Sequence, residues 1–147
     1  MSEMRIEIDR LDFTLRLYRW KKDVGRYRRV KTYKIATGAV NYATPQGPYR
    51  VAGKTRTPDW APPSFSELHG GIIPFDDPRN PFEGGFIALG GHPSTRGDGV
   101  GIHGTRFDPA IGTRASHGCI RMTTPDLLDL YDRVEVGTEV TVYGDYQ

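Results

Sequence analysis

Ten of the eighteen glycines fall between Gly84 and Gly118. Glycine at that density marks backbone that must pass close to something else in the fold. Within the stretch, Phe86 to Leu89 and Val100 to His103 read as short buried strands. Upstream, Arg5 to Asp9 and Thr14 to Trp20 alternate partly between apolar and polar residues, and Arg29 to Ala36 continues in that style, as an early meander would. Thr44-Pro45-Gln46-Gly47-Pro48 is a turn cluster, followed by a strand at Tyr49 to Ala52. One helix is signalled, with Thr124 as N-cap, Pro125 at the first helical position and Asp126 in the first turn; Leu127, Leu128 and Tyr131 form its apolar face. Val136-Gly137-Thr138 then turns the chain into a closing strand, Glu139 to Tyr143. The expected class is mostly β.

Pro58 to Pro81 holds six of the eleven prolines, with Trp60, Phe65 and Phe75, and shows neither the helical nor the strand period. A loop this long inside a compact chain is usually functional, and its aromatics suit an ordered cover over a site. It is a candidate lid. At 147 residues without a repeat or linker, the expectation is one domain, residues 1–147.

No apolar run approaches the roughly 18 residues that a membrane span needs, and Met1 to Arg10 has no apolar stretch of signal-peptide type. Either export information has been removed or the chain is part of something longer. A net charge of +2 argues against a dedicated nucleic-acid binder, although eleven of the twenty Lys and Arg precede Ala36. That basic run is either the solvated face of a strand or hairpin, or a contact with an anionic polymer.

The only cysteine lies in Ser116-His117-Gly118-Cys119-Ile120-Arg121-Met122. A lone thiol forms no internal disulfide and is free to react. It attacks an acyl carbon as the thiolate, which calls for a base and for donors to the developing oxyanion. His117 is too near along the chain for assured alignment and could instead shape the backbone. His103 ends a strand in Val100-Gly101-Ile102-His103-Gly104-Thr105, where a neighbouring strand can bring it to the thiol, so His103 is the expected base. The Gly104 carbonyl is the nearest candidate to orient its other ring nitrogen. Gly118 and Cys119, with His117 as a third, can present backbone N–H groups as an oxyanion hole. Arg121 suits a substrate carboxylate, or else a structural ion pair. Cys119 also precedes the helix, whose N-terminus would favour its thiolate slightly, by roughly 0.3–1 kcal/mol. His69 and His92 sit in glycine-flanked loops and carry no assigned chemistry. A zinc site of His103, His117 and Cys119, with His92 as fourth ligand, is the rival reading of the same residue types.

Ile102-His103-Gly104-Thr105 followed by Ser116 to Met122 resembles the signature of the L,D-transpeptidase catalytic domain, or YkuD-like, family. Ala36-Thr37-Gly38, Thr44 to Gly47 and the Trp60-containing loop resemble that family too. The resemblance implies a β-sandwich or barrel-like body with the cysteine in a cleft under a loop. It further implies that Cys119 attacks the diaminopimelate–D-alanine bond of a peptidoglycan stem tetrapeptide, forming a thioester that an amine acceptor resolves. By position His103 would be the base, Gly104 its orienting carbonyl, Gly118 and Cys119 the oxyanion donors; Ser116, His117 and Arg121 would shape the pocket or meet substrate. No cofactor or metal is implied. The location implied is extracytoplasmic, in the wall or periplasm. An L,D-carboxypeptidase on the same substrate and a non-catalytic wall-binding module remain alternatives.

Overall fold

The computed structural model describes residues 3–62, 66–91, 100–105, 110–116 and 118–144. Phe65, His92 and His117, singled out from the sequence, lie outside them. The strands are β1 (Met4–Asp9), β2 (Thr14–Lys21), β3 (Arg26–Lys34), β4 (Thr37–Gly38), β5 (Gly47–Thr55), β6 (Glu83–Gly90), β7 (Gly101–Thr105), β8 (Arg114–Ser116), β9 (Ile120–Thr123) and β10 (Glu139–Tyr143); the helix α1 is Thr124–Arg133. The mostly β class is as expected.

Eight strands form one mixed sheet in the order β3-β2-β1-β10-β5-β6-β7-β9, and β4 pairs with β8 in a separate ribbon. Within the larger sheet β1 runs parallel to β10 and β7 parallel to β9. Alternation makes the core: Met4, Ile6 and Ile8 of β1 turn inward while Arg5, Glu7 and Asp9 face outward. Leu15, Leu17, Ile87, Ile120 and Met122 are fully buried on the same pattern, and Ile102 is fully buried in β7, a strand buried along its whole length; each contributes about 1.5–3 kcal/mol.

The third strand starts three residues earlier than the alternation suggests and ends at Lys34, so Ile35 and Ala36 leave it. Ala36 then pairs with Arg121, N–H to carbonyl in both directions at 2.9 and 3.0 Å. The chain leaving one edge strand thus reaches the opposite edge strand, β9, and the sheet curls toward closure.

Helix α1 packs on β6, β7 and β9. Its N-cap is Thr123, one residue before the expected Thr124: Thr123 is extended (φ −61°, ψ 151°) and its Oγ1 accepts from Asp126 N–H at 3.3 Å. Both threonines offer a hydroxyl, and backbone conformation decides between them. The buried face is Leu127, Leu130 and Tyr131, a clean i, i+3, i+4 stripe, whereas Leu128 is 39% exposed, contrary to expectation. The expected link between Cys119 and the helix N-terminus is also corrected. The four residues of β9 intervene, about 13 Å of extended chain, beyond the first turn's reach.

The loop from Pro58 to Pro81 is framed by a Trp60–Ile73 bridge, with N–H to carbonyl distances of 2.8 and 2.7 Å. Buried Asn80 reinforces the frame, its Nδ2 donating to the carbonyls of Pro58, Ile73 and Pro74 while its Oδ1 accepts from Phe82 N–H.

Candidate active site

Parallel pairing of β7 with β9 sets Ile102 beside Ile120 and His103 beside Arg121. Continued one residue back, that register brings Cys119 level with Gly101. Alternation then places Gly101, His103, Cys119 and Arg121 on one face, with Ile102, Ile120 and Met122 in the core on the other. Two short segments far apart in sequence are therefore set side by side by one ladder.

His103 is 5% exposed. Phe82 packs edge-on against its ring at 4.8 Å, and Phe86, its partner across the β6–β7 pair, stacks nearly parallel at 6.0 Å. Nδ1 lies 2.7 Å from the Gly104 carbonyl. A carbonyl only accepts, so Nδ1 carries the proton and Nε2 keeps its lone pair. Burial pulls the His103 pKa down to about 4; the Arg121 charge acts in the same direction, and the Gly104 bond opposes both. Two glycines make this packing possible. A Cβ at residue 101 would fall inside the Phe86 ring, and one at 104 would meet the Glu83 carbonyl.

The Cys119 turn is held from several sides. The Ser116 hydroxyl donates to the Cys119 carbonyl and accepts from Gly118 N–H at 3.2 Å. Gly118 has φ +117°, a conformation that favours glycine. Its carbonyl accepts from Thr44 Oγ1 at 2.8 Å, and Thr44 Oγ1 in turn accepts from Gly38 N–H at 3.1 Å. Buried Arg10 donates to the Thr44 carbonyl at 2.7 Å and anchors on the Gly144 carbonyl. The β4–β8 ribbon adds a further tie, setting Gly38 beside Ser116.

Cys119 itself is half-buried. Burial pushes its thiol pKa up, while a backbone hydrogen bond from Gly101 and the charge of Arg121 pull it down. Arg121 is half-buried as well, and among the described residues no carboxylate pairs with it. That removes the expected structural ion pair as its role among those residues.

The structure thus brings Cys119, His103, Gly104, Ser116, Gly118 and Arg121 together. Gly118 N–H, expected as an oxyanion donor, is engaged by Ser116 Oγ, so an oxyanion would compete with that hydroxyl. His117, and with it the third expected donor, lies outside the described residues. His69 sits apart, in an exposed turn of the long loop. Among the described residues no group of three or more His, Cys, Asp or Glu could hold a metal ion; two of the four residues of the zinc reading, His92 and His117, lie outside that search. Sequence reasoning missed Thr44, Arg10, Phe82 and Phe86. Thr44 stood within a noted turn cluster, but nothing local reveals that its hydroxyl reaches Gly118.

Residues 3–142 match the YkuD L,D-transpeptidase catalytic domain, and the chain belongs to that family. It is 34% identical over 116 residues, 77% of its length, to a putative L,D-transpeptidase, YqjB, of Bacillus subtilis. It is 33% identical over 138 residues, 94% of its length, to a putative L,D-transpeptidase, YkuD, of Bacillus licheniformis. The matches cover 59% and 64% of those relatives. The fold is shared with L,D-transpeptidase 3 from Mycobacterium tuberculosis, solved in complex with a faropenem-derived adduct: TM-score 0.71 at 19% identity, covering 97% of this chain and 60% of that one.

Proposed function

We propose that residues 1–147 act as a single L,D-transpeptidase catalytic domain that cross-links peptidoglycan outside the cytoplasmic membrane. The observation carrying this reading is the shared face of Cys119 and His103 on the adjacent segments of a parallel pair, with His103 Nδ1 fixed by the Gly104 carbonyl.

In this reading Cys119 Sγ attacks the carbonyl of the diaminopimelate–D-alanine bond while its proton passes to His103 Nε2. The backbone N–H groups of Gly118 and Cys119 face the oxyanion, Gly118 exchanging Ser116 Oγ for it. Collapse breaks the C–N bond, and His103 returns the proton to the departing D-alanine amine, leaving a thioester on Cys119. The side-chain amine of a second diaminopimelate then attacks, giving up a proton to His103 and restoring the thiol. Arg121, half-buried and without a carboxylate partner among the described residues, receives a substrate carboxylate. The Pro58–Pro81 loop, which leads into Phe82 against the His103 ring, serves as the cover.

Intact-protein mass spectrometry after incubation with a carbapenem tests the nucleophile: a drug-sized adduct is expected on the parent and not on Cys119→Ala. No adduct on folded, reduced parent protein would overturn the reading. Incubation with a diaminopimelate tetrapeptide then distinguishes a cross-linked dimer from the tripeptide that hydrolysis would leave.

A further inference from the structure

The edge of the sheet formed by β2 and β3 carries a feature that acyl transfer does not use. Residues 19–34 hold eight Lys or Arg against one acid, Asp23; the other 131 residues hold twelve cations against seventeen acids. A weakly basic chain is thus a strongly basic hairpin on an acidic body. β3 is a terminal strand of the sheet and is exposed along most of its length. A few charges suffice to discourage edge-to-edge pairing, but the arrangement here goes further.

Register sets Arg19 directly opposite Arg28, and Lys21 directly opposite Arg26. Both pairs lie on the face that buries Leu15 and Leu17, continued beyond the end of the core. Four cations therefore form a quadrilateral about 5 Å across the strands and 7 Å along them. Like charges directly opposed destabilise a strand pair. Some cations nearby have acids: Arg16 meets Asp9 and Asp12, and Lys31 and Arg133 meet Asp129. Among the described residues none of the four does. An anion lying between the strands would relieve their repulsion.

We propose that this quadrilateral binds a linear polymer carrying one phosphate per repeat, laid along the β2–β3 hairpin. The diverging oxygens of a phosphate can reach cations on two strands at once, whereas the coplanar oxygens of a carboxylate are satisfied by a single arginine fork. The large apolar side chains exposed on the hairpin are Val24 and Val30, which is little anchor for a folded protein partner. A flexible polyanion needs no such anchor.

The test titrates the parent, Arg19→Ser/Arg28→Ser and Lys21→Ser/Arg26→Ser with long-chain inorganic polyphosphate and with poly-L-glutamate over a range of salt, with thermal melts alongside. The parent is expected to bind polyphosphate with a log–log salt slope of roughly −1.4, about −0.7 for each of the two bridged phosphates, and to melt higher in its presence. Each double variant should lose about half the slope and at least tenfold in affinity. Without polymer each should melt at or above the parent, since the opposed charges are gone. Arg79→Ser, which removes a cation of the Pro58–Pro81 loop paired with Asp77, should bind like the parent. Unchanged affinity in both hairpin variants, equal binding to poly-L-glutamate, or no binding by the parent would each overturn the proposal. None of these readouts uses turnover, so they stand or fall separately from acyl transfer.

Discussion

Thr44 Oγ1 donates to the Gly118 carbonyl across 74 residues of sequence, at 2.8 Å and out of contact with solvent. Because the same oxygen accepts from Gly38 N–H, one hydroxyl ties the β4 segment to the turn that presents Cys119. Arg10 braces the Thr44 backbone from behind. Thr44 is a positioning residue in this arrangement, acting through Gly118.

Thr44→Val keeps the shape and removes the hydroxyl, leaving a buried carbonyl and N–H unpaired at a cost of about 1–3 kcal/mol. If that falls on the presentation of Cys119, acylation by a carbapenem slows by roughly tenfold to a hundredfold, and Thr44→Ser restores it. Stopped-flow acylation of the three proteins is the check. Equal loss in Val and Ser variants would show that packing, not the hydroxyl, matters.

Acid should destabilise the protein through His103. Its folded pKa lies near 4 against an ordinary value of 6.5, so as pH falls through that window the unfolded chain takes up the proton first. The contribution is zero above about pH 6.5 and reaches a loss of about 3 kcal/mol near pH 4. Urea unfolding of the parent and His103→Gln across this range should give curves that diverge toward acid. Parallel curves would sink the assignment.

Burial raises the Cys119 pKa and lowers that of His103, so the resting pair is a neutral thiol beside a neutral imidazole. Alkylation of Cys119 by iodoacetamide is therefore expected to be slow at neutral pH and to rise through a midpoint above that of an ordinary thiol. A fast, pH-independent rate down into mild acid would instead indicate a preformed thiolate–imidazolium pair.

Gly101→Ala drives a methyl into the Phe86 ring. The expected cost is about 1–3 kcal/mol of stability, with a further loss of acylation because Phe86 stacks on His103. Gly101→Ala/Phe86→Ala should destabilise by less than the two single changes together, as measured by chemical denaturation. Strict additivity would mean that the ring moves aside freely.

Arg121→Lys retains the charge and loses the bidentate fork. With a tetrapeptide substrate KM should rise several-fold while iodoacetamide reactivity changes little. A parent-like KM would withdraw the carboxylate-binding role.

Much of this molecule is written locally. Side-chain alternation marks β1, β2, β6 and β10, the Pro58–Pro81 stretch declares itself a loop by its prolines, and Ser116 to Met122 with His103 carries the family's motif. These signals are legible because strand alternation, proline geometry and a thiol's need for a base all act over a few residues. The N-cap at Thr123, the exposure of Leu128 and the placement of β9 between Cys119 and the helix were not legible: neighbouring residues offered equivalent local choices, and packing against β6 and β7 selected among them. The pairing of Ala36 with Arg121, the hold of Thr44 on Gly118 and the seating of Phe86 over Gly101 lie further still from local reading. Each joins segments whose sequences carry no mark of one another, and only the packing of the folded chain brings them within bonding distance. The sequence by itself determined the mostly β class and the motif that marks the family; the tertiary structure decided which backbone and hydroxyl groups hold Cys119 and His103 in place, because those contacts depend on how distant segments pack rather than on residue type.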